Sequence, residues 1–253
     1  MQAFLTLTRR ELASFFVSMT GYVIIASAVF QMGLSFVILV NNLQGESTPM
    51  PVTEVFYVTA FFWLILLLSA PIITMRLFAL EKYSGTFETL MTAPVGDLQV
   101  VLAKFTAAMI FYMLMWLPLL GCILIVQRFS GGAAGLDLGI VGSTYFGIFL
   151  IGSLYMSLGC FASALTRSQM IAAMIAFAIG ITFFLLTFLS EQISTRKSGL
   201  SEALKTMDMR EHMRDFSRGV IDTRYVVFYL SVTLLFLFLT YRVVESKWRS
   251  MGI

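Results

Sequence analysis

Residues 81–105 read EKYSGTFETLMTAPVGDLQVVLAKF. This polar, charged stretch interrupts two long apolar runs. Gly85 breaks the segment before it, and Thr86 is placed to cap the next helix. Phe87, Leu90 and Met91 then share one helical face, with Glu88, Thr89 and Thr92 on another. An acid in the first turn, Glu88, suits the positive end of a helix dipole. Pro94 and Gly96 end that helix, and Asp97 is placed to cap another, which carries Lys104 into the second apolar run. The pattern predicts a short amphipathic helix over about 86–96, held between two membrane spans.

Composition supports a membrane setting. Of 253 residues, 58% are hydrophobic and 12% charged, and the mean hydropathy is +0.88. Soluble domains carry about 45–50% apolar and about 25% charged residues. The fold expected is all-α and integral to the membrane. Six apolar runs, near 22–40, 55–77, 100–126, 140–165, 170–189 and 225–244, each approach or exceed the ~20 residues that cross a bilayer. Pro71 and Pro118 lie inside spans and predict local kinks.

The segment before the first span has Leu5, Leu12, Phe15, Phe16 and Met19 on one face, with Arg10, Glu11 and Ser14 opposite. It is read as an interfacial helix; the alternative is an irregular start to the first span. It lacks the basic, apolar and small-residue order of a signal peptide. Basic residues set the orientation. Arg9, Arg10, Arg76, Lys82, Lys104, Arg167, Arg242, Lys247 and Arg249 flank one side, while 41–54 holds no Lys or Arg and the third loop only Arg128. Both termini and the 81–105 stretch are therefore expected in the cytoplasm. The net charge of +3 reflects these flanks and implies no nucleic acid partner.

The fifth loop, 190–224, mixes basic and acidic residues on the expected outer side. In it Met209, Met213, Phe216 and Val220 recur at helical spacing, which reads either as an outer-surface helix offering a partner surface or as a solvated loop. Ala172, Ala176 and Gly180 permit close helix approach in the fifth span, either within the bundle or at a subunit interface. Ser153 and Ser157 do the same in the fourth.

The chemistry expected to be absent narrows function. The spans hold almost no ionisable residue away from their ends, which argues against ion-coupled transport. No G-x-x-x-x-G-K-[ST] loop is present. The single histidine, His212, reads as a surface loop residue, and nothing forms a metal or nucleophile set. Cys122 and Cys160 read as buried structural thiols. A chain without its own energy source needs an outside motor.

RREL at 9–12, six spans, and the E-K-x-x-G-T-x-E-x-L-x-x-x-P pattern at 81–94 resemble the type-2 ABC-transporter permease family. The segment HMRDFSRGVIDTR at 212–224 is similar to the branch with the gliding-motility and nitrous-oxide-reductase-maturation permeases. The resemblance covers the whole chain, as one permease domain over 1–253. It implies a coupling helix that sits on a separate ATPase, with Glu81, Gly85, Thr86, Glu88, Leu90 and Pro94 at the matching positions. It further implies a second permease chain, identical or related, in a bacterial inner membrane. The chain itself is expected to be no enzyme and to bind no cofactor, with ATP and Mg on the ATPase. Two working modes are open: export, or force passed to a periplasmic partner through 190–224.

Overall fold

Apolar runs of this length in lipid must satisfy their backbone internally, and the chain does so as helices. The computed structural model describes residues 2–43, 59–87, 95–129, 137–193 and 207–250, which are helical with no strand among them. The helices are α1 (Gln2–Val17), α2 (Met19–Leu43), α3 (Ala60–Thr74), α4 (Ala79–Ser84), α5 (Asp97–Met115), α6 (Pro118–Phe129), α7 (Leu138–Leu165), α8 (Gln169–Ile193), α9 (Met209–Ser217) and α10 (Thr223–Ser250). Six stretches are long and apolar enough to span: Met19–Asn41, Ala60–Ser84, Asp97–Val126, Leu138–Leu165, Gln169–Thr187 and Thr223–Ser246. These are the six expected spans, with ends shifted by a few residues. α1 is a separate helix before the first span, not its irregular start. The end of the bundle that carries α1 is the terminal side, and the end that carries α9 is the far side.

α7 is the axis. In its most apolar window 83% of residues are buried, against 22% in the fifth and sixth spans. It packs against α3, α5, α8, α9 and α10. Its small residues are what allow this. Ser153 and Ser157 are buried, and the Ser153 hydroxyl meets Thr233 Oγ1 at 3.1 Å. Ala172, Ala176 and Gly180 are buried too, and the Gly180 carbonyl accepts the Tyr155 hydroxyl at 3.1 Å. The small-residue stripe of α8 is thus consumed by packing within the chain, and the subunit-interface reading of these three residues is corrected.

Two spans are broken, and α7 supplies what each break exposes. The second span runs through Pro71 and breaks at 75–78, beyond the kink expected at Pro71 itself. There Ser163 Oγ accepts from Phe78 N at 3.0 Å and Ala79 N at 3.1 Å, and donates to Met75 O at 3.1 Å. The third span breaks between α5 and α6, at Trp116 and just before Pro118, which opens α6 as its first residue. The Tyr145 hydroxyl donates to Trp116 O at 2.9 Å. Interrupted backbone at membrane depth is tolerated where side chains re-satisfy it in this way.

The far-side segment departs from expectation. α9 is capped by Asp208, which accepts from Arg210 N and Glu211 N. Met209, Met213 and Phe216 are fully buried, and only Val220 of the four is exposed, at 54%. Gly147 on α7 admits Phe216: a Cβ there would stand 2.8 Å from its ring. Ser143 Oγ donates to Phe216 O at 2.7 Å. The amphipathic face of Met209, Met213 and Phe216 therefore turns inward onto α7, and of the four residues only Val220 is left at the surface. His212 is also buried, not a surface residue. It stacks on Tyr225 at 3.9 Å between ring centroids, and its Nδ1 lies 3.1 Å from Tyr229 Oη.

Candidate functional site

The site lies on the terminal side, where the 81–105 stretch leaves and re-enters the bundle. Gly85 closes α4 with φ 72° and ψ 3°, the left-handed conformation that glycine takes without a Cβ clash. The break expected there is present. Thr86 and Phe87 are already helical again. Thr86 thus sits inside the new turn instead of capping it, and its Oγ1 pairs back to Ser84 Oγ at 2.9 Å. Gly96 is the N-cap of α5, so Asp97 occupies the first helical position instead of the cap. Phe87 is buried, with Lys82 Nζ 5.2 Å from its ring centroid; Lys82 also donates to Ala164 O at the end of α7. Glu88, Leu90 and Pro94 lie outside the described residues.

Glu81 is the junction. Its Oε1 receives Arg10 Nη2 and Lys104 Nζ, both at 2.9 Å. Glu11 Oε1 receives the same two cations, at 2.7 Å from Arg10 and 3.1 Å from Lys104. The Lys104 side chain is 2% exposed, and its ammonium stands 5.4 Å from the Phe78 ring centroid. Four charges from α1, α4 and α5 thus close into one cluster around the buried Lys104, with Arg10 on its exposed rim. Burial by itself raises the Glu11 carboxyl, but the Lys104 ammonium and the Arg10 bond overcome it and hold the group below its ordinary range. The bond to Glu11 raises the Arg10 guanidinium. A hollow of about 280 Å³, where Arg10, Glu11, Ser14, Arg76 and Glu81 meet the apolar Phe15, Leu77 and Leu80, adjoins the cluster.

Of the sequence-derived residues, Glu81 belongs to this cluster and Gly85 and Thr86 sit just beyond it. Glu11 and Lys104 were missed in these roles. The helical wheel of α1 set Glu11 against the apolar face, yet its inward stripe is Thr8, Glu11, Leu12 and Phe15, while Leu5, Phe16 and Met19 are exposed. Lys104 read as a loop border, although it stands inside an apolar helix. The usable signal was a lone cation within a span, which requires a buried anion from elsewhere in the chain.

Cys122 and Cys160 are free thiols. Among the described residues no group of three or more His, Cys, Asp or Glu is arranged to hold a metal.

Six spans, two of them interrupted, and an interhelical charge cluster at one face define a multi-pass membrane protein. The family described as ABC-2 family transporter protein matches residues 17–189. That is more than half of the chain, which therefore belongs to the ABC-2 transporter family as a membrane permease component of an ABC transporter. Membership implies an ABC ATPase partner and dimerisation. No curated protein matches the chain.

Proposed function

We propose that this permease receives ATP-driven motion from a separate ATPase subunit through residues 81–105. The observation that carries the reading is the pair of salt bridges that Glu81 Oε1 receives from Lys104 and Arg10. A push on the segment beyond Gly85 moves α4, and the cluster obliges α1 and α5 to move with it. Interfaces of this kind switch between discrete packings instead of bending smoothly. Glu88, Leu90 and Pro94 belong to the same contact with the ATPase. The chain is then no enzyme, binds no cofactor itself, and leaves ATP and Mg to its partner. A second permease chain, identical or related, completes the unit in a bacterial inner membrane, with both termini cytoplasmic.

The test is purification through a C-terminal tag from native membranes in mild detergent, with bound chains counted by mass spectrometry. One ATPase per permease supports the reading. A chain recovered alone, under conditions that preserve other ABC complexes, refutes it. So does ATP-dependent function left untouched by Glu88→Ala.

A second mode, in which force passes to a periplasmic partner instead of a substrate being exported, is favoured by α7. One unbroken helix holds the second-span break through Ser163 at one end and α9 through Ser143 at the other. This fits the branch of gliding-motility and nitrous-oxide-reductase-maturation permeases. Extra periplasmic chains in the same purification support it, and a transported substrate without such chains supports export.

A further inference from the structure

The first span touches the bundle along a narrow stripe, Ile24, Ala28 and Met32, while Val23, Val29 and Phe30 stay exposed. Between it and the second span lies a cleft of about 320 Å³. Small side chains open it: Ser27 and Ala28 on one wall, Ser69 on the other, with Ile65, Leu68 and Ile72 completing an apolar lining. The cleft runs along α2 from Met19 to Gln31, which is about 18 Å at 1.5 Å per residue. One leaflet of a ~30 Å hydrocarbon core is about 15 Å deep. The cleft thus has the reach of one leaflet, and it opens sideways among exposed apolar residues, including Val23 and Leu68.

Its terminal-side mouth is cationic. Thr20 lines the cleft, and Arg76 Nη1 donates to Thr20 Oγ1 and, at 2.6 Å, to Ser18 Oγ. Arg76 also lines the neighbouring hollow beside Arg10 and Ser14. Glu11 and Glu81, the two carboxylates of that hollow, are already engaged by Arg10 and Lys104. Three cations against two carboxylates leave one positive charge at this corner, at the level where the apolar lining ends.

We infer that the cleft binds one phospholipid of the terminal-side leaflet, with an acyl chain between the first and second spans and the phosphate on Arg76. The shape and charge select this occupant. A helix is about 10 Å across and does not fit. A free phosphate gains nothing from the apolar walls, and a neutral amphiphile gains less from Arg76 than an anionic one does. A guanidinium presents a planar fork that matches phosphate oxygens. The inference does not depend on the coupling function proposed above.

The test uses the full-length protein in mild detergent with whatever chains accompany it. After delipidation it is incubated with phosphatidylglycerol, and bound lipid is counted by native mass spectrometry. Parallel samples receive a diglucosyl diacylglycerol with the same acyl chains, or inorganic phosphate. The expected result is one phosphatidylglycerol per permease, weak retention of the glycolipid, and no displacement by millimolar phosphate. Arg76→Gln and Ser27→Phe, the latter filling the cleft from an exposed position, should each lower retention about ten-fold, the loss of one charged hydrogen bond or its equivalent in packing. Arg76→Lys should recover part of it, and Arg9→Gln, on the exposed side of α1, should retain it in full. Equal retention of the glycolipid overturns the phosphate contact, as does loss in Ser27→Phe alone. Loss in Arg76→Gln alone overturns the cleft. Displacement by inorganic phosphate reassigns the site to the free anion. Unchanged retention in both variants shows annular lipid only. Ser27→Phe keeps the question decidable if Arg76→Gln does not fold.

Discussion

The two ends of the bundle bury polar groups by opposite means. On the terminal side three helices meet over full charges: Arg10, Glu11, Glu81 and Lys104. On the far side α9 meets α7 through Met209, Met213 and Phe216, and its buried polar contacts include neutral pairs, His212 with Tyr229 on α10 and Ser143 with the Phe216 carbonyl. A buried charge holds because its partners hold, so removing one member costs more than the pair contributes. A buried apolar face loses stability in proportion to what is cut away. The terminal joint is therefore all-or-none, a useful property where motion must be handed on. The far joint is graded.

The sharpest way to break the contrast is Lys104→Met. It leaves the Glu11 and Glu81 carboxylates buried with Arg10 as their one remaining cation in the cluster. The expected loss is about 3–5 kcal/mol, read as a large fall in the thermal midpoint of the detergent-solubilised protein. Adding Glu11→Gln and Glu81→Gln should restore much of it, because the triple variant carries no uncompensated acid. If the single variant is as stable as the parent, the cluster does not hold the three helices together. Phe216→Ala should cost about 3 kcal/mol, in the range for a fully buried aromatic. Its effect should show as faster hydrogen exchange confined to 209–217, with the terminal side unaffected.

Acid separates the two ends next. Burial depresses His212 to about 4 from its usual 6.5, with Asp208 and Asp222 opposing. Tyr225, Phe228 and Tyr229 surround the ring, and Nε2 has no hydrogen-bond partner among the described residues. The unfolded form binds the proton first, so stability at this end falls as pH drops from about 6.5 towards 4. Glu11 behaves differently. Its carboxyl is held below the ordinary 4.5, so its contribution is intact above that value and is lost only as pH falls further. Between pH 6.5 and 5, protection factors, with the intrinsic pH dependence of exchange divided out, should fall at 209–217 and stay constant at 5–15. His212→Phe should abolish the far-side change. A terminal side that loosens first would reverse the assignment.

These contrasts also show what the sequence could and could not disclose. Six spans, the Gly85 break and the Pro118 break were legible because length, apolarity and missing N–H groups are local properties. Helical periodicity correctly grouped Met209, Met213 and Phe216. It did not reveal which way the face turns, because lipid, partner and α7 are equally apolar. The same ambiguity hid the destination of Ala172, Ala176 and Gly180. Lys104 and Glu11 were illegible for a different reason. They are 93 positions apart, and their pairing exists only once α1 folds back against α5.

The smallest expected effects compare one hydroxyl at each end of α7. Ser163→Ala removes the hydroxyl that accepts from Phe78 N and Ala79 N at the second-span break. Phe78, Ala79 and Ser163 are fully buried in protein, so water does not replace the hydroxyl and the cost should be about 1–3 kcal/mol, that of stranded donors. Ser143→Ala removes a donor from Phe216 O, but that carbonyl still accepts from Gly219 N at 3.2 Å. Its cost should stay below about 1 kcal/mol. Thermal midpoints of the two variants, measured side by side, therefore rank the joints on neutral chemistry alone. Equal losses would mean that the second-span break has another source of hydrogen bonds. A larger loss at Ser143 would place the tighter joint on the far side, and the motion proposed to enter at Glu81 would then be more readily lost at the break than carried along α7.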